Sequence, residues 1–269
     1  MGKRKKMTIF LLAVLCILAI TPMTADAAKL KKVNVDKYLK KGRNYTILAY
    51  NPTNKWVKVR KKKSVHSSRW NLMLNYGGTL TVDRSKLKKG VKTSWIPVFM
   101  YEGRKRTTGY IQATQVKLAV VYNKKYSGNR IIDTAIKTGF RYLGTPFVMP
   151  GASLDHGIDC AQFVAAGRNL VSWAHTDNLQ AACYEIFYQR AQRTLSKSQM
   201  NRLKPGDLLF YLKNDTSGPI DHVGIYIGNG FMINSSGHYG MVYPNGGVCL
   251  KRVQYGNRKI MRAMRIRGF

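Results

Sequence analysis

A cysteine stands at the predicted start of a helix in the run Gly157-Ile158-Asp159-Cys160-Ala161-Gln162-Phe163-Val164-Ala165-Ala166. The preceding residues, 150–157, are rich in turn-forming types, whereas residues 161–173 have the apolar spacing of a helix. A thiol at a helix N-terminus lies near unpaired backbone N–H groups and the positive end of the helix dipole, and both favour the nucleophilic thiolate. The alternative for a single cysteine is burial in the core, so its partners elsewhere in the chain decide between the two.

Two residues further along the chain are suited to act with this thiol. Nucleophilic catalysis by cysteine needs an imidazole to take and return the proton, and a polar group to orient the imidazole. His222 begins a predicted strand, and Asn234 lies on the next strand, across the Asn229-Gly230 hairpin turn. Neighbouring side chains on adjacent strands lie about 5 Å apart, so Asn234 is predicted to reach His222. Catalysis by Cys160 with His222 and Asn234 therefore becomes the favoured interpretation.

The second half of the chain resembles the NlpC-type family of papain-like cell-wall endopeptidases. Five ordered motifs carry this resemblance: Tyr142-Leu143-Gly144-Thr145-Pro146-Phe147, Gly157-Ile158-Asp159-Cys160, His175-Thr176 with Gln180, Leu203-Lys204-Pro205-Gly206-Asp207-Leu208, and the run from His222 to Gly230. The resemblance implies Cys160 as the nucleophile, His222 as the general base and Asn234 as the third polar residue. It also implies hydrolysis of amide bonds in peptidoglycan stem peptides.

The chain departs from the family pattern around the predicted cleft. Phe147 stands where the family usually has Tyr, so one hydroxyl near the reacting carbonyl is missing. The usual Trp-Gly-Gly turn reads Met149-Pro150-Gly151, the usual Ser-Gly after the cysteine reads Ala161-Gln162, and Asp221 precedes the histidine where Ser is frequent. Together with Asp159, beside the nucleophile, residues Phe147, Ala161 and Asp221 are therefore predicted to contact substrate.

Neither a metal nor a cofactor is expected. Asp155 and Asp159 could form a metal site with His156, but Asp159 is better suited to hold substrate or the local turn. A loop position on the surface is the favoured interpretation of His156.

The N-terminus predicts a secretory signal over residues 1–27. Lys3-Arg4-Lys5-Lys6 precedes an apolar run from Met7 to Ile20, and Ala25-Asp26-Ala27 is a small-residue cleavage site. A retained signal anchor is the alternative, but the run is short for a membrane span. We therefore expect no stable membrane span after cleavage, and a secreted or wall-associated protein.

Charge is unevenly distributed along the 269 residues. Residues 1–128 hold 29 of the 46 basic residues and only 4 of the 12 acidic ones. Such a surface attracts polyanions. Because export separates the protein from chromosomal nucleic acid, peptidoglycan and anionic wall polymers are the expected partners and nucleic acid is not.

The predicted fold class is α+β, in two domains. Residues 28–118 are predicted as a basic, β-rich wall-binding domain, and the phrase from Trp95 to Val116 weakly resembles the closing strands of a bacterial SH3-like barrel. Residues 119–128 are predicted as a linker. Residues 129–269 are predicted as a papain-like domain in which helices 131–140, 161–173 and 177–195 pack on an antiparallel sheet.

Two other functions remain open at this point. The missing hydroxyl at Phe147 would suit a wall-binding protein whose hydrolase domain is weak or inactive. An acyltransferase or amidase would use the same Cys-His-Asn site, because the chemistry as far as the acyl-enzyme is shared.

Overall fold

The computed structural model describes residues 30–39, 45–102, 105–122, 129–168, 175–192, 194–212, 220–237, 240–254 and 259–267. The predicted signal peptide, 1–27, and residues 123–128 of the predicted linker lie outside the described residues, as do 169–174 at the end of the second predicted helix. Residues 31–269 cluster as one compact unit.

The described chain is mixed helix and sheet, and its strand pairings are mostly antiparallel. Its helices are α1 Asp36–Leu39, α2 Arg130–Arg141, α3 Cys160–Arg168, α4 Thr176–Ala181 and α5 Lys197–Arg202. Its strands are β1 Tyr45–Tyr50, β2 Val57–Arg60, β3 Arg69–Leu74, β4 Thr79–Thr81, β5 Trp95–Glu102, β6 Lys105–Gln112, β7 Lys117–Tyr122, β8 Ala152–Ser153, β9 Gly157–Ile158, β10 Cys183–Gln192, β11 Leu208–Leu212, β12 Ile220–Gly228, β13 Phe231–Ser236, β14 Gly247–Arg252 and β15 Lys259–Ile266. The α+β class is confirmed.

The C-terminal half, residues 129–267, is organised around one six-stranded sheet. Its strand order is β10-β15-β11-β12-β13-β14, so the final strand is inserted between β10 and β11. The hairpin between β12 and β13 turns at Asn229 and Gly230, whose φ angles of 53° and 78° suit the two-residue turn that their sequence predicts.

Helices α2 and α3 pack against this sheet. Asn129 caps the start of α2, because its side chain accepts hydrogen bonds from the N–H groups of Ile131 and Ile132, at 2.9 and 3.3 Å. Gly139 permits the close approach, since a Cβ there would lie 2.7 Å from Ile233 and 3.1 Å from Phe163. The core thus fixes α3, which begins at the predicted nucleophile.

The N-terminal half, residues 30–122, forms a three-stranded sheet, β4-β1-β7, and a four-stranded sheet, β3-β2-β6-β5. Buried residues of both halves belong to one hydrophobic cluster. Thr79 donates to the carbonyl of Leu250 at 2.7 Å, and the Thr81 N–H donates to the hydroxyl of fully buried Tyr243 at 2.9 Å. The two halves are therefore held together by a shared hydrophobic core as well as by the continuous polypeptide chain.

The predicted division into domains remains a prediction, as does the SH3-like barrel. Strand β7 extends past the predicted boundary at residue 118 to Tyr122. In the described part of the chain, no helix is both long enough and apolar enough to cross a membrane.

The helix predicted over residues 177–195 is wrong. Helix α4 ends at Ala181, and β10 follows, paired with β15. A register shift between Glu185 and Phe187 lets Ile186 and Phe187 both be buried. The bulge gives the strand a burial pattern of helical spacing, and that spacing produced the wrong assignment.

Candidate active site

Asp159 holds the turn that leads into α3. One carboxylate oxygen accepts from the N–H of Gln162 at 2.9 Å, which caps the helix, and the other accepts from the N–H of Gly151 at 3.3 Å. Gly151 is required at this turn, because a Cβ there would lie 2.3 Å from the carbonyl oxygen of Val148. Asp159 thus performs the turn-holding role considered for it, while its contact with substrate stays a prediction.

Cys160 is the first residue of α3 and is 9% exposed. Its thiol donates a long hydrogen bond, 3.9 Å, to the backbone carbonyl of Asp221. Asp221 is itself exposed and immediately precedes His222 in β12. The thiol therefore lies against the segment of backbone that carries the predicted base.

His222 is buried, with 2% of its surface exposed. It pairs with Tyr211 of β11, whose ring centroid lies 5.7 Å from that of the imidazole, with the rings tilted by 49°. The ring position is thus fixed by a neighbouring strand as well as by β12.

Asn234 lies on β13, but not directly opposite His222. The registered pairs are Ile225 with Ile233 and Tyr226 with Met232. A Cβ at Gly224 would lie 3.3 Å from the Cβ of Asn234, so Asn234 faces Gly224. Side chains two residues apart on a strand share a face, which makes Asn234 a diagonal neighbour of His222 at roughly 7–8 Å between Cα atoms. The separation of about 5 Å expected from the sequence is therefore corrected.

The amide of Asn234 is fully buried. Its oxygen accepts from the thiol of Cys249 at 3.5 Å, while its nitrogen has no acceptor among the described residues. The next residue, Ser235, donates to the carbonyl of Ile158 at 2.6 Å. Strand β13 is thus tied both to β14 and to β9, which leads into Cys160.

The remaining predicted contacts surround the helix start. Phe147 is half-buried and pairs with Ile158, while its N–H donates to the carbonyl of Met241 at 2.9 Å. Ala161 is buried directly after the nucleophile. Contact of either residue with substrate stays a prediction. His156 is exposed in a turn, as favoured, and the described residues contain no group of three His, Cys, Asp or Glu side chains arranged to hold a metal.

A buried polar group on β14 was missed by the sequence analysis. Lys251 is almost fully buried, and its ammonium donates to the carbonyls of Pro244 and Asn245, at 3.4 and 3.1 Å. Burial lowers the pKa of Lys251 and raises that of the Cys249 thiol. Residues 247–251 are all buried, so both faces of β14 are covered and no alternation in the sequence could mark Lys251 as internal.

Comparison with known proteins gives a match to the NlpC/P60 family over residues 144–258. The murein DD-endopeptidase MepH of Escherichia coli (strain K12) is 32% identical over 97 residues, which are 35% of this chain and 32% of that protein. A gamma-D-glutamyl-L-lysine dipeptidyl-peptidase of Bacillus subtilis (strain 168) is 30% identical over 102 residues, 37% of this chain and 30% of that protein. The chain therefore spans about a third of the length of these relatives.

Among solved structures, the NlpC/p60 domain of the peptidoglycan hydrolase SagA is 26% identical, with a TM-score of 0.34. That alignment covers 49% of this chain and 97% of the SagA domain. The family match over residues 144–258 confirms the NlpC-type resemblance that the motifs around Cys160 and His222 predicted for the C-terminal half of the chain.

Proposed function

We propose that the protein is a secreted cysteine endopeptidase that hydrolyses amide bonds in peptidoglycan stem peptides. The family match and the endopeptidase and peptidase names of the relatives support a wall hydrolase. The observation that carries the cysteine mechanism is the 3.9 Å contact between the Cys160 thiol and the carbonyl of Asp221, directly before His222.

In the proposed reaction, Cys160 attacks the carbonyl carbon of the peptide and His222 takes the thiol proton. His222 then returns this proton to the leaving amine, and water attacks the acyl-enzyme with the same imidazole as base. The Cys160 N–H, at the open end of α3, is suited to stabilise the oxyanion. Phe147 supplies no hydroxyl for that purpose.

Asn234 acts in this proposal as a positioning residue for His222. Its amide is buried on the same face of the sheet, and its nitrogen has no acceptor among the described residues. The amide oxygen, which accepts from Cys249, has a second lone pair; by accepting from the N–H of the imidazole it would leave the other ring nitrogen available to take the thiol proton. Because the amide is uncharged, it would orient the ring without ionising it.

The N-terminal half is proposed to hold the enzyme at the wall. Residues 28–118 would form the SH3-like wall-binding domain and residues 129–269 a papain-like catalytic domain. Residues 119–122, predicted as the start of a linker, instead complete strand β7, which pairs with β1. The excess of 29 basic over 4 acidic residues in 1–128 supports attraction to anionic wall polymer, and the predicted signal peptide supports secretion.

Mass spectrometry of fragments released from purified peptidoglycan tests this proposal. The wild type should release peptides with new amine ends, and Cys160→Ala should release none. Cys183→Ala is the matched control, because it removes another buried thiol, on β10, and should release the same fragments.

The outcomes separate the alternatives. Equal release by wild type and Cys160→Ala would exclude the cysteine mechanism. A wild type that binds peptidoglycan and releases nothing would support the weak or inactive wall-binding protein, and transfer of the peptide to an added amine would support the acyltransferase.

A further inference from the structure

A cleft of about 1000 Å³ lies between the N-terminal half and helix α2. Strands β1, β4, β5 and β6 line it on one side, and α2 lines it on the other. This volume is at the upper end of the range of small-molecule sites in proteins. The residues that line the cleft do not include Cys160, His222 or Asn234.

The cleft is strongly basic. Arg84 and Arg106 line it from the N-terminal half, and Lys137 and Arg141 line it from α2. Among the described residues, no carboxylate forms an ion pair with Lys137 or Arg141. Cations on facing walls repel one another, and this repulsion would be relieved by a bound anion.

The acidic residue that lines the cleft offsets only part of this positive charge. Asp83 is 4% exposed, and its carboxylate accepts from the hydroxyls of Ser85 at 2.6 Å and Thr108 at 2.9 Å. It also caps the turn through the N–H of Ser85 at 3.1 Å. The carboxylate is thus held within the fold, and the charge facing the open space stays positive.

Aromatic rings accompany the cations. Phe99 lines the cleft beneath Arg106, whose guanidinium carbon lies 4.1 Å from the ring centroid. Phe140 lines the cleft from α2 and is only partly buried. The C–H face of a sugar ring packs on such rings, while a stacked guanidinium keeps its donors at the edge for phosphate or carboxylate.

We infer that this cleft binds an anionic glycan, a chain of sugar units that carry phosphate or carboxylate groups. The inference rests on the proposed function in one respect only, which is that the protein meets this glycan at the cell wall. Cations alone would accept any polyanion, whereas cations alternating with apolar rings favour a ligand that is anionic and has apolar sugar faces. Because both halves of the chain line the cleft, the bound glycan would contact the proposed peptidase half directly.

Isothermal titration calorimetry with the full mature chain tests the inference. The probes are glycosylated poly(ribitol phosphate), which supplies phosphate, and polygalacturonate oligomers, which supply carboxylate. Neutral dextran, linear polyphosphate and a single-stranded oligonucleotide are the comparison ligands. One or both anionic glycans should bind more tightly than each of the three comparison ligands. The anionic glycan that binds more tightly shows whether the cleft prefers phosphate or carboxylate. Tighter binding of the oligonucleotide would overturn the assignment in favour of nucleic acid.

Charge reversal on α2 is the first variant. Lys137→Glu with Arg141→Glu should weaken glycan binding about tenfold, because it replaces two cations that attract the anionic groups with two carboxylates that repel them. The matched control is Lys58→Glu with Lys62→Glu, which makes the same charge change at exposed positions that do not line the cleft. The control should weaken binding less than about threefold. Equal weakening by both pairs would show a general charge effect and overturn the site.

Removal of one aromatic ring is the second variant. Phe140→Leu should weaken binding of the glycans several-fold and leave linear polyphosphate unchanged, because Phe140 lines the cleft from α2 and, unlike Phe99, has no guanidinium of the described residues stacked on it. Equal weakening of both ligands would overturn the sugar-stacking role. Cys160→Ala should lose peptide release and keep glycan binding. If the wild type releases peptides but does not prefer anionic glycans, only the proposal of glycan binding in the cleft is contradicted. If it prefers anionic glycans but releases no peptides, only the proposed peptidase activity is contradicted.

Discussion

Two buried cysteines on neighbouring parts of the C-terminal half show how differently the fold can use a thiol. Cys160 begins a helix and is 9% exposed, whereas Cys249 lies within β14 and is fully buried. Their exposed fractions differ little. What differs is the backbone around them: a helix start offers unpaired N–H groups to a thiolate, and a strand paired within a sheet does not.

The surroundings of Cys249 keep its proton in place. Burial raises the pKa of this thiol, and the nearby ammonium of Lys251 only partly opposes the effect. The thiol donates to the amide oxygen of Asn234 at 3.5 Å and lies 3.6 Å from the hydroxyl of Ser236. Cys249 is therefore a structural donor behind the proposed site, and burial alone does not identify a reactive cysteine.

Exchange of sulfur for oxygen at both positions should give the largest contrast. Cys160→Ser should lower the rate of peptide release by on the order of 10⁴-fold, because the nucleophile is lost as a thiolate. Cys249→Ser should change the rate only a few-fold, since a hydroxyl can still donate to Asn234. Initial rates of amine release from peptidoglycan measure both. Similar losses in the two variants would remove the distinction between the thiols.

Alkylation by iodoacetamide at mildly acidic pH should separate the thiols by about 100-fold in rate. Cys160 should react faster because it lies at the start of α3 and is 9% exposed, while Cys249 is fully buried and must wait for local opening of the sheet. Peptide mapping after timed quenching gives each rate. In concentrated guanidinium chloride the two rates should converge. Equal rates in the native protein would argue that Cys160 is not an activated thiolate.

Truncation of the two side chains should affect stability in the opposite order from activity. Cys249→Ala should lower the free energy of unfolding by about 1–3 kcal/mol, because it removes buried contacts and the donor to Asn234. Cys160→Ala should lower it by less than about 1 kcal/mol, since the Cys160 side chain is not fully buried and its hydrogen bond to the carbonyl of Asp221 is long, at 3.9 Å. Urea unfolding at pH 7 measures both, and a larger loss for Cys160→Ala would contradict the structural role given to Cys249.

The contribution of Cys249 to the free energy of unfolding should decrease as the pH rises in the alkaline range, by less than about 1.4 kcal/mol per pH unit. Its folded pKa is raised, so the unfolded thiol ionises first as the pH increases. The advantage of wild type over Cys249→Ala is therefore complete below the unfolded pKa of about 8.5, and is lost as the pH rises through the folded pKa. Urea unfolding of both proteins from pH 7 to pH 10 measures it. An advantage that grows with pH would contradict the raised pKa.

Local sequence signals predicted much of the C-terminal half. The apolar spacing of residues 131–140 predicted α2, and Asn229-Gly230 predicted the hairpin between β12 and β13. These elements could be predicted because cap, turn and periodicity agree within each short segment. The start of α3 at Cys160 was predicted for the same reason, and it carries the candidate site.

The errors arose where pairing between distant strands decides the structure. The bulge in β10 depends on β15, about 75 residues later in the chain, and nothing in residues 183–192 alone reveals it. The position of Asn234 was misjudged because it was treated as a direct neighbour of His222, whereas the pairing of Ile225 with Ile233 places Asn234 opposite Gly224, two residues from His222. Lys251 and the basic cleft depend on the packing of the two halves, which a segment-by-segment interpretation does not contain.

The contact between Gly78 and Lys251 has a consequence for the solubility of the C-terminal half. Strand β14 is the last strand of the six-stranded sheet, and its outer side meets the N-terminal half through a bridge at Gly78 and the bond from Thr79. An uncovered sheet edge is a template for pairing with other chains. A fragment beginning at residue 129 would expose this edge, so we expect it to aggregate more readily than a chain that includes the N-terminal half.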